Sequence, residues 1–405
     1  MDSSFGVNAK PESSLAWLLE PLTVQSFFED VWGATHYHIK RGAPGYFDRL
    51  LPGPSAAEEL LEHARPEPAA VRLVKGDEHR DSDAYQRADG SLDLAGVRND
   101  LADGYTIILD SLERYARSIT SLSHAIEVEL NFPVQVNAYI TPPGSAGFLP
   151  HYDHHDVLIL QIQGSKVWHL HGDAAVPPHE MQRRQEVDPD ALPLPTDSPT
   201  DLRLEAGDTL YLPRGRVHAA ETTSESSVHL TVGIHVPTVL TLLTHTLHLL
   251  SLRDDRVHAR LPPRHLDDPD VRAGLGGLLH DVLTTIEDPD ALAEGLGAME
   301  DVLVRRGRCP PVGQTADTVG IDGQTRVVKY QPLYSRVTAV AGAVALQFAQ
   351  LLISAGSDHE AAMRFLSESS EPFRVNDLPG LNAAQQAELA RTLIVSGFLV
   401  RLPDN

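Results

Sequence analysis

The chain has 405 residues, with 33 Lys and Arg against 56 Asp and Glu and a formal net charge of −23. That acid excess argues against broad electrostatic binding to nucleic acid. The one cysteine, Cys309, excludes an intrachain disulfide and a cysteine-caged zinc site. The length exceeds a single hydrophobic core and predicts two or three domains, and 42% hydrophobic with 22% charged residues is the make-up of a soluble globular protein.

The first residues, Met1-Asp2-Ser3-Ser4-Phe5, lack the basic stretch and apolar run of a secretory signal. The best membrane-span candidate, Val239 to Leu252, is too short and holds His245 and His248, so a cytoplasmic location is expected. Thr23 is placed to cap a helical rhythm that runs through Phe27-Phe28 to Trp32. Strand-like alternation follows at His36 to Lys40, Val71 to Lys75 and Tyr105 to Leu109. A helix is predicted from Leu112 to about Leu130, ended by Phe132-Pro133.

From there the text is strand after strand: Val134 to Thr141, Val157 to Gln163, Lys166 to His171, Asp208 to Leu212 and Val228 to Val236. Turn signals at Pro142-Pro143-Gly144, Gly164-Ser165 and Pro213-Arg214-Gly215 separate them. Such spacing predicts a barrel or sandwich, and a double-stranded β-helix fits well. The proline- and acid-rich segment Val176 to Pro199 reads as an insertion at the rim. After Pro237 a leucine-rich helical pattern runs to about Arg306, broken by Asp-Pro at 268–269 and 288–289; its leucines pack either within the chain or against a second subunit. The remainder ends in a helix from Ala383 to Ser396 and the strand-like Gly397 to Arg401, compatible with a winged helix. The expected domains are residues 1–237, 238–306 and 307–405 in a mixed α+β fold.

His151 and Asp153 are two apart, so on a strand they present an imidazole and a carboxylate on one face. His218, after the turn that ends another strand, supplies a second imidazole. Together they form a 2-His-1-carboxylate face, the ligand set of non-heme Fe(II) oxygenases. Among 20 histidines such triplets also arise by chance, which keeps ordinary core or surface histidines as the alternative. Lys166 supplies a cation, and Asn137 and Tyr139 alternate as donors on a neighbouring strand. These groups suit the far carboxylate of a 2-oxo acid held on the metal. The pairs His36/His38 and His169/His171 share strand spacing but have no carboxylate between their members, and they read as structural.

The run Val134 to Asp153, followed by Leu160-Gln-Ile-Gln-Gly-Ser-Lys-Val-Trp168, resembles the JmjC-type ribosomal oxygenases, a cupin-like group that hydroxylates ribosomal proteins. The likeness extends to Trp17, Phe27-Phe28, Trp32 to Arg41, Leu73-Val74-Lys75 and Leu378-Pro379-Gly380-Leu381. It implies a JmjC domain joined to a helical dimerisation region and a carboxy-terminal winged helix, in a homodimer. It implies His151, Asp153 and His218 as Fe(II) ligands, Lys166 as the partner of the distal carboxylate of 2-oxoglutarate, and Asn137 and Tyr139 as pocket lining. The implied activity is hydroxylation of a protein side chain, His or Arg of a ribosomal protein.

Two departures bear on the substrate. Gly233 stands where the family often has serine, and His154 and His155 follow the Asp ligand where acidic residues are common. His155 would share the face of His151 and Asp153, as a rim residue or an extra ligand. An oxygenase acting on a small molecule or peptide natural product, and a non-catalytic cupin-like scaffold, remain alternative readings. The acidic residues Glu360, Glu368, Glu371, Asp377 and Glu388 point the winged-helix-like region away from DNA contact.

Overall fold

The computed structural model describes residues 14–64, 70–173, 199–307, 318–340 and 342–403. Cys309 and all but the end of the 176–199 insertion lie outside the described residues. The chain divides into two compact units at the Val236/Pro237 junction.

In the first unit, α1 (Leu15–Leu19) and α2 (Val24–Ser26) open the fold, with Thr23 Oγ1 accepting the Ser26 amide as the sequence predicts. The elements β1 (Tyr37–Ile39), α3 (Ala56–Ala64), β2 (Val71–Lys75), β3 (Glu78–Arg80), α4 (Leu94–Ala102) and β4 (Thr106–Leu109) follow. The helix expected from Leu112 begins as a 3-10 turn, Leu112–Arg114, and becomes α5 only at Arg117, running to Leu130. Asn131, in the left-handed conformation (φ 58°), closes it.

Then come β5 (Val134–Thr141), β6 (Asp156–Asp173), β7 (Thr200–Glu205), β8 (Thr209–Leu212), β9 (Arg216–Glu221) and β10 (Ser227–Ile234). All ladders between these strands are antiparallel, in the order β1-β8-β6-β10-β5-β4-β2-β3, with β7 and β9 also on β6.

The two strands expected on either side of Gly164-Ser165 are one 18-residue strand, β6. Its first half pairs with β8 and β10, its second with β7 and β9. Gly164 is the corner: at φ +65° its ideal Cβ would lie 1.8 Å from the Ser226 carbonyl oxygen, so only glycine lets the chains pass. The strand turns without breaking, and Lys166 opens its second half rather than a hairpin.

Period-two alternation sorts the side chains. Val134, Val136, Ala138 and Ile140 of β5, Leu158, Leu160 and Ile162 of β6, and Val228, Leu230, Val232 and Ile234 of β10 join one core with residues of α1 and α5. The opposite faces of β6 and β10 point inward. There Val157, Ile159, Trp168 and Leu170 cluster with Leu204, Leu210 and Leu212 of β7 and β8, and the candidate site opens beside them.

In the second unit, α6 (Val239–Ser251), α7 (Pro269–Ile286) and α8 (Pro289–Arg306) form the helical region. The two Asp-Pro breaks are helix starts: Asp268 and Asp288 cap α7 and α8, with the prolines at the first helical position. The strands β11 (Arg326–Lys329), β12 (Ser335–Val340), β13 (Ala343–Phe348) and β14 (Leu351–Gly356) follow. After them come α9 (Glu360–Glu368), β15 (Phe373–Arg374), α10 (Ala383–Val395) and β16 (Leu399–Arg401). They build two three-stranded sheets, β12-β13-β14 and β15-β11-β16, around a separate core that includes Leu346, Phe348, Met363 and Leu393.

Candidate metal centre

His151, Asp153 and His218 come together as the spacing predicts. One ligand atom from each lies within 4.8 Å of the others, the one such His/Cys/Asp/Glu group among the described residues. An isolated antiparallel bridge fixes the histidines backbone to backbone, with His151 N to His218 O at 3.0 Å and His218 N to His151 O at 2.8 Å. The Asp153 carbonyl accepts the Gly215 amide at 3.0 Å, tying the third residue to the turn before β9. His218 Nε2 stands 3.7 Å from Asp153 Oδ2.

Each imidazole is oriented from behind. His151 Nδ1 lies 2.8 Å from the Leu149 carbonyl and His218 Nδ1 lies 2.9 Å from the Arg216 carbonyl. A carbonyl only accepts, so each Nδ1 carries the hydrogen and each Nε2 presents a lone pair. Two neutral imidazoles and a carboxylate so arranged can hold a divalent transition metal on one face. Phe148 packs on His151 and Trp168 on His218, with ring centroids 5.1 and 5.9 Å apart.

The cavity over this face is lined by Tyr139, His151, Asp153, Lys166, His218, His229 and Thr231, among others. Lys166 is buried (3% exposed), and its Nζ donates to Thr141 Oγ1 at 3.0 Å, which lies 3.1 Å from Thr106 Oγ1. No acidic residue among those described pairs with it, and burial pushes its ammonium down to about 7.

Tyr139 lines the cavity and stacks flat on His229, with centroids 4.7 Å apart and planes 2° apart. Asn137 lies two residues along β5, but its Oδ1 accepts the Ser111 amide at 2.9 Å, and it is not among the lining residues. Sequence reasoning overlooked Thr141, Thr231 and His229. Thr141 continues the 137, 139, 141 alternation, and Thr231 shares the face of His229. His229 is buried, its Nδ1 has no partner, and desolvation and then the charge of Lys166 hold its pKa well below the imidazole range.

His155 does not join the ligand face. It lies in a bend before β6, so strand alternation does not carry its side chain to the metal group. In each of the other histidine pairs one member has an ordinary partner: His38 Nε2 is 3.1 Å from Asp208 and His169 Nδ1 is 2.7 Å from Asp201.

Residues 113–242 match the family model for the JmjC domain. The chain is 29% identical over 247 residues to the bifunctional lysine-specific demethylase and histidyl-hydroxylase NO66 of Drosophila mojavensis, covering 55% of this chain and 24% of that protein. It is 30% identical over 235 residues to ribosomal oxygenase 2 of Rattus norvegicus, covering 56% and 48%. The chain thus spans about a quarter to a half of the length of these relatives. Among solved structures, Escherichia coli YcfD aligns over 94% of this chain and 98% of its own at a TM-score of 0.57 and 20% identity. YcfD described as a ribosomal oxygenase in complex with cobalt and 2-oxoglutarate aligns at 0.55 and 18%, covering 95% of this chain and 99% of that one. These matches bear out the resemblance to the JmjC-type ribosomal oxygenases and the mixed fold with a large antiparallel JmjC-like sheet.

Proposed function

We propose that this chain is an Fe(II)- and 2-oxoglutarate-dependent oxygenase that hydroxylates a side chain of a protein substrate, with His or Arg of a ribosomal protein as the target class. One observation carries the reading: a His-Asp-His face and a buried lysine without an acidic partner among the described residues line one cavity. The names of the relatives, histidyl-hydroxylase and ribosomal oxygenase, support the substrate class.

His151, Asp153 and His218 hold the metal, the histidines through Nε2. Bound Fe(II), with 2-oxoglutarate and oxygen, supplies the oxidising power to hydroxylate an unactivated carbon while succinate and carbon dioxide leave. The chain's own work is binding and placement. Lys166 receives the distal carboxylate as an ammonium, with Thr141 holding its Nζ on that side of the cavity. Tyr139 walls the co-substrate, and Asn137 braces the same strand against Ser111. Trp168, Phe148 and Val157 keep bulk water from the reacting face, where a low dielectric strengthens the Lys166–carboxylate contact.

The same reading assigns residues 1–237 to the catalytic domain, 238–306 to dimerisation and 307–405 to a winged-helix-like module, in a cytoplasmic homodimer. Exposed Leu240, Leu243 and Leu247 on α6 and Leu279 and Leu283 on α7 support the dimerisation role. The succession of α10 and β16 supports the winged helix. No helix of the described residues is long and apolar enough to cross a membrane.

The test is incubation with ferrous iron, ascorbate, 2-oxoglutarate and ribosomes from cells lacking the gene. Succinate release and the gain of one oxygen atom on a ribosomal protein are expected. Absence of both, together with no 2-oxoglutarate binding, overturns the reading.

A further inference from the structure

On β10 the side chains that face the cavity recur every second residue. His229 and Thr231 line it, Gly233 shares their face without itself lining the cavity, and His235 follows one residue past the end of β10. Gly233 pairs with Val157, itself a lining residue. At Gly233 the space a side chain would fill is already taken: an ideal Cβ would lie 2.7 Å from both Cδ2 and Nε2 of His155. That ring stacks in turn on His235, with centroids 4.4 Å apart and planes 26° apart. Both imidazoles are half-buried, as expected of groups at a rim. The two departures noted in the sequence are therefore one feature, since glycine at 233 is the condition for the His155 ring to lie against β10.

We propose that His155, seated on Gly233 and stacked on His235, is a specificity-determining wall of the cavity mouth that limits the bulk of the substrate side chain reaching the metal face. The inference rests on the oxygenase reading above and adds to it the residue pair that shapes the substrate side of the site. His155 lies in the bend between Asp153 and β6, outside any strand ladder, so its ring can be displaced without unzipping the sheet. A methyl group at 233 would push it off β10 and across the mouth. Removal of the ring would instead open the mouth over Thr231 and Val157.

The test uses the full chain loaded with Mn(II) and two chelating oxalyl amides, N-oxalylglycine and the bulkier N-oxalylphenylalanine, with affinities read by calorimetry. N-oxalylglycine should bind the parent, His155→Ala, Gly233→Ala and the double variant within about twofold of one another, because it needs only the metal face and Lys166. For N-oxalylphenylalanine, His155→Ala should tighten binding at least about fivefold and Gly233→Ala should weaken it by a similar factor. The double variant should match His155→Ala, since without the ring the methyl group has nothing to displace.

An unchanged affinity of the bulky compound in His155→Ala, or additive effects in the double variant, overturns the wall. Failure of N-oxalylglycine to bind the parent overturns the oxygenase reading itself, so the two failures are told apart.

Discussion

Lys166 Nζ donates to Thr141 Oγ1 at 3.0 Å beside the cavity, where no acidic residue among those described meets it. A hydroxyl accepts a hydrogen bond but does not neutralise a charge, and an ammonium so placed costs free energy until an anion arrives. An anion bound beside Lys166 would therefore stabilise its ammonium form.

Lys166→Met should keep the volume and lose the charge. The affinity of the Mn(II)-loaded protein for 2-oxoglutarate is expected to fall by about two orders of magnitude, the scale of losing a charged hydrogen bond in a buried site. Metal binding should stay within about twofold of the parent. Calorimetry reads both, and an unaltered 2-oxoglutarate affinity would remove Lys166 from the site.

The pH dependence follows from the same residue. Burial lowers Lys166 from 10.5 to about 7, so at pH 8 roughly nine in ten free molecules carry a neutral amine. A docked carboxylate favours the ammonium and raises the value again, so binding takes up a proton. Uptake should approach about one proton at pH 8 and vanish near pH 6, and affinity should fall roughly tenfold per pH unit above 7. Calorimetry in buffers of different ionisation enthalpy measures this. Uptake that is zero at pH 8, or that persists in Lys166→Met, contradicts it.

Much of this was legible in the sequence, because strand alternation is a physical rule. The spacing of 151 and 153 brings both to the ligand group, although an isolated bridge at His151 rather than a strand holds that segment, and on β5 apolar residues at 134, 136, 138 and 140 leave 135, 137, 139 and 141 for the other face. What alternation does not give is depth. Asn137, Tyr139 and Thr141 look equivalent in the text, yet Tyr139 lines the cavity, Thr141 holds Lys166, and Asn137 is spent on Ser111.

Gly164-Ser165 reads as a hairpin turn because a left-handed glycine serves either a turn or a corner, and only the passing Ser226 backbone distinguishes them. The strand β7 escaped notice because Thr-Asp-Leu-Arg-Leu-Glu lacks a run of apolar residues. The possibility that His155 joins the ligand face needs a strand register running through it, and that register begins only at Asp156.

The corner makes its own prediction. Gly164→Ala puts a methyl group into the Ser226 carbonyl at a φ of +65°, and stability should drop by about 2–4 kcal/mol. Because Lys166 lies only two residues on, 2-oxoglutarate affinity should weaken as well. Denaturant unfolding checks the first effect and calorimetry the second; an unchanged midpoint would show that the strand bends elsewhere.

The ligand face predicts a graded pattern. Asp153→Ala and His218→Ala should each weaken metal binding by at least about a hundredfold, since each removes one of three protein ligands. His169→Ala should leave it unchanged, because its Nδ1 meets Asp201 where the second half of β6 pairs with β7. Metal content after dialysis distinguishes these outcomes, and parent-like content in both ligand variants would contradict the assignment.

The most direct test of the central claim is a crystal structure of the protein with Mn(II) and 2-oxoglutarate. The metal should sit on His151 Nε2, Asp153 and His218 Nε2, with the distal carboxylate within about 3 Å of Lys166 Nζ. A metal bound elsewhere, or a 2-oxoglutarate whose far carboxylate meets a different cation while Lys166 keeps only Thr141, would contradict it.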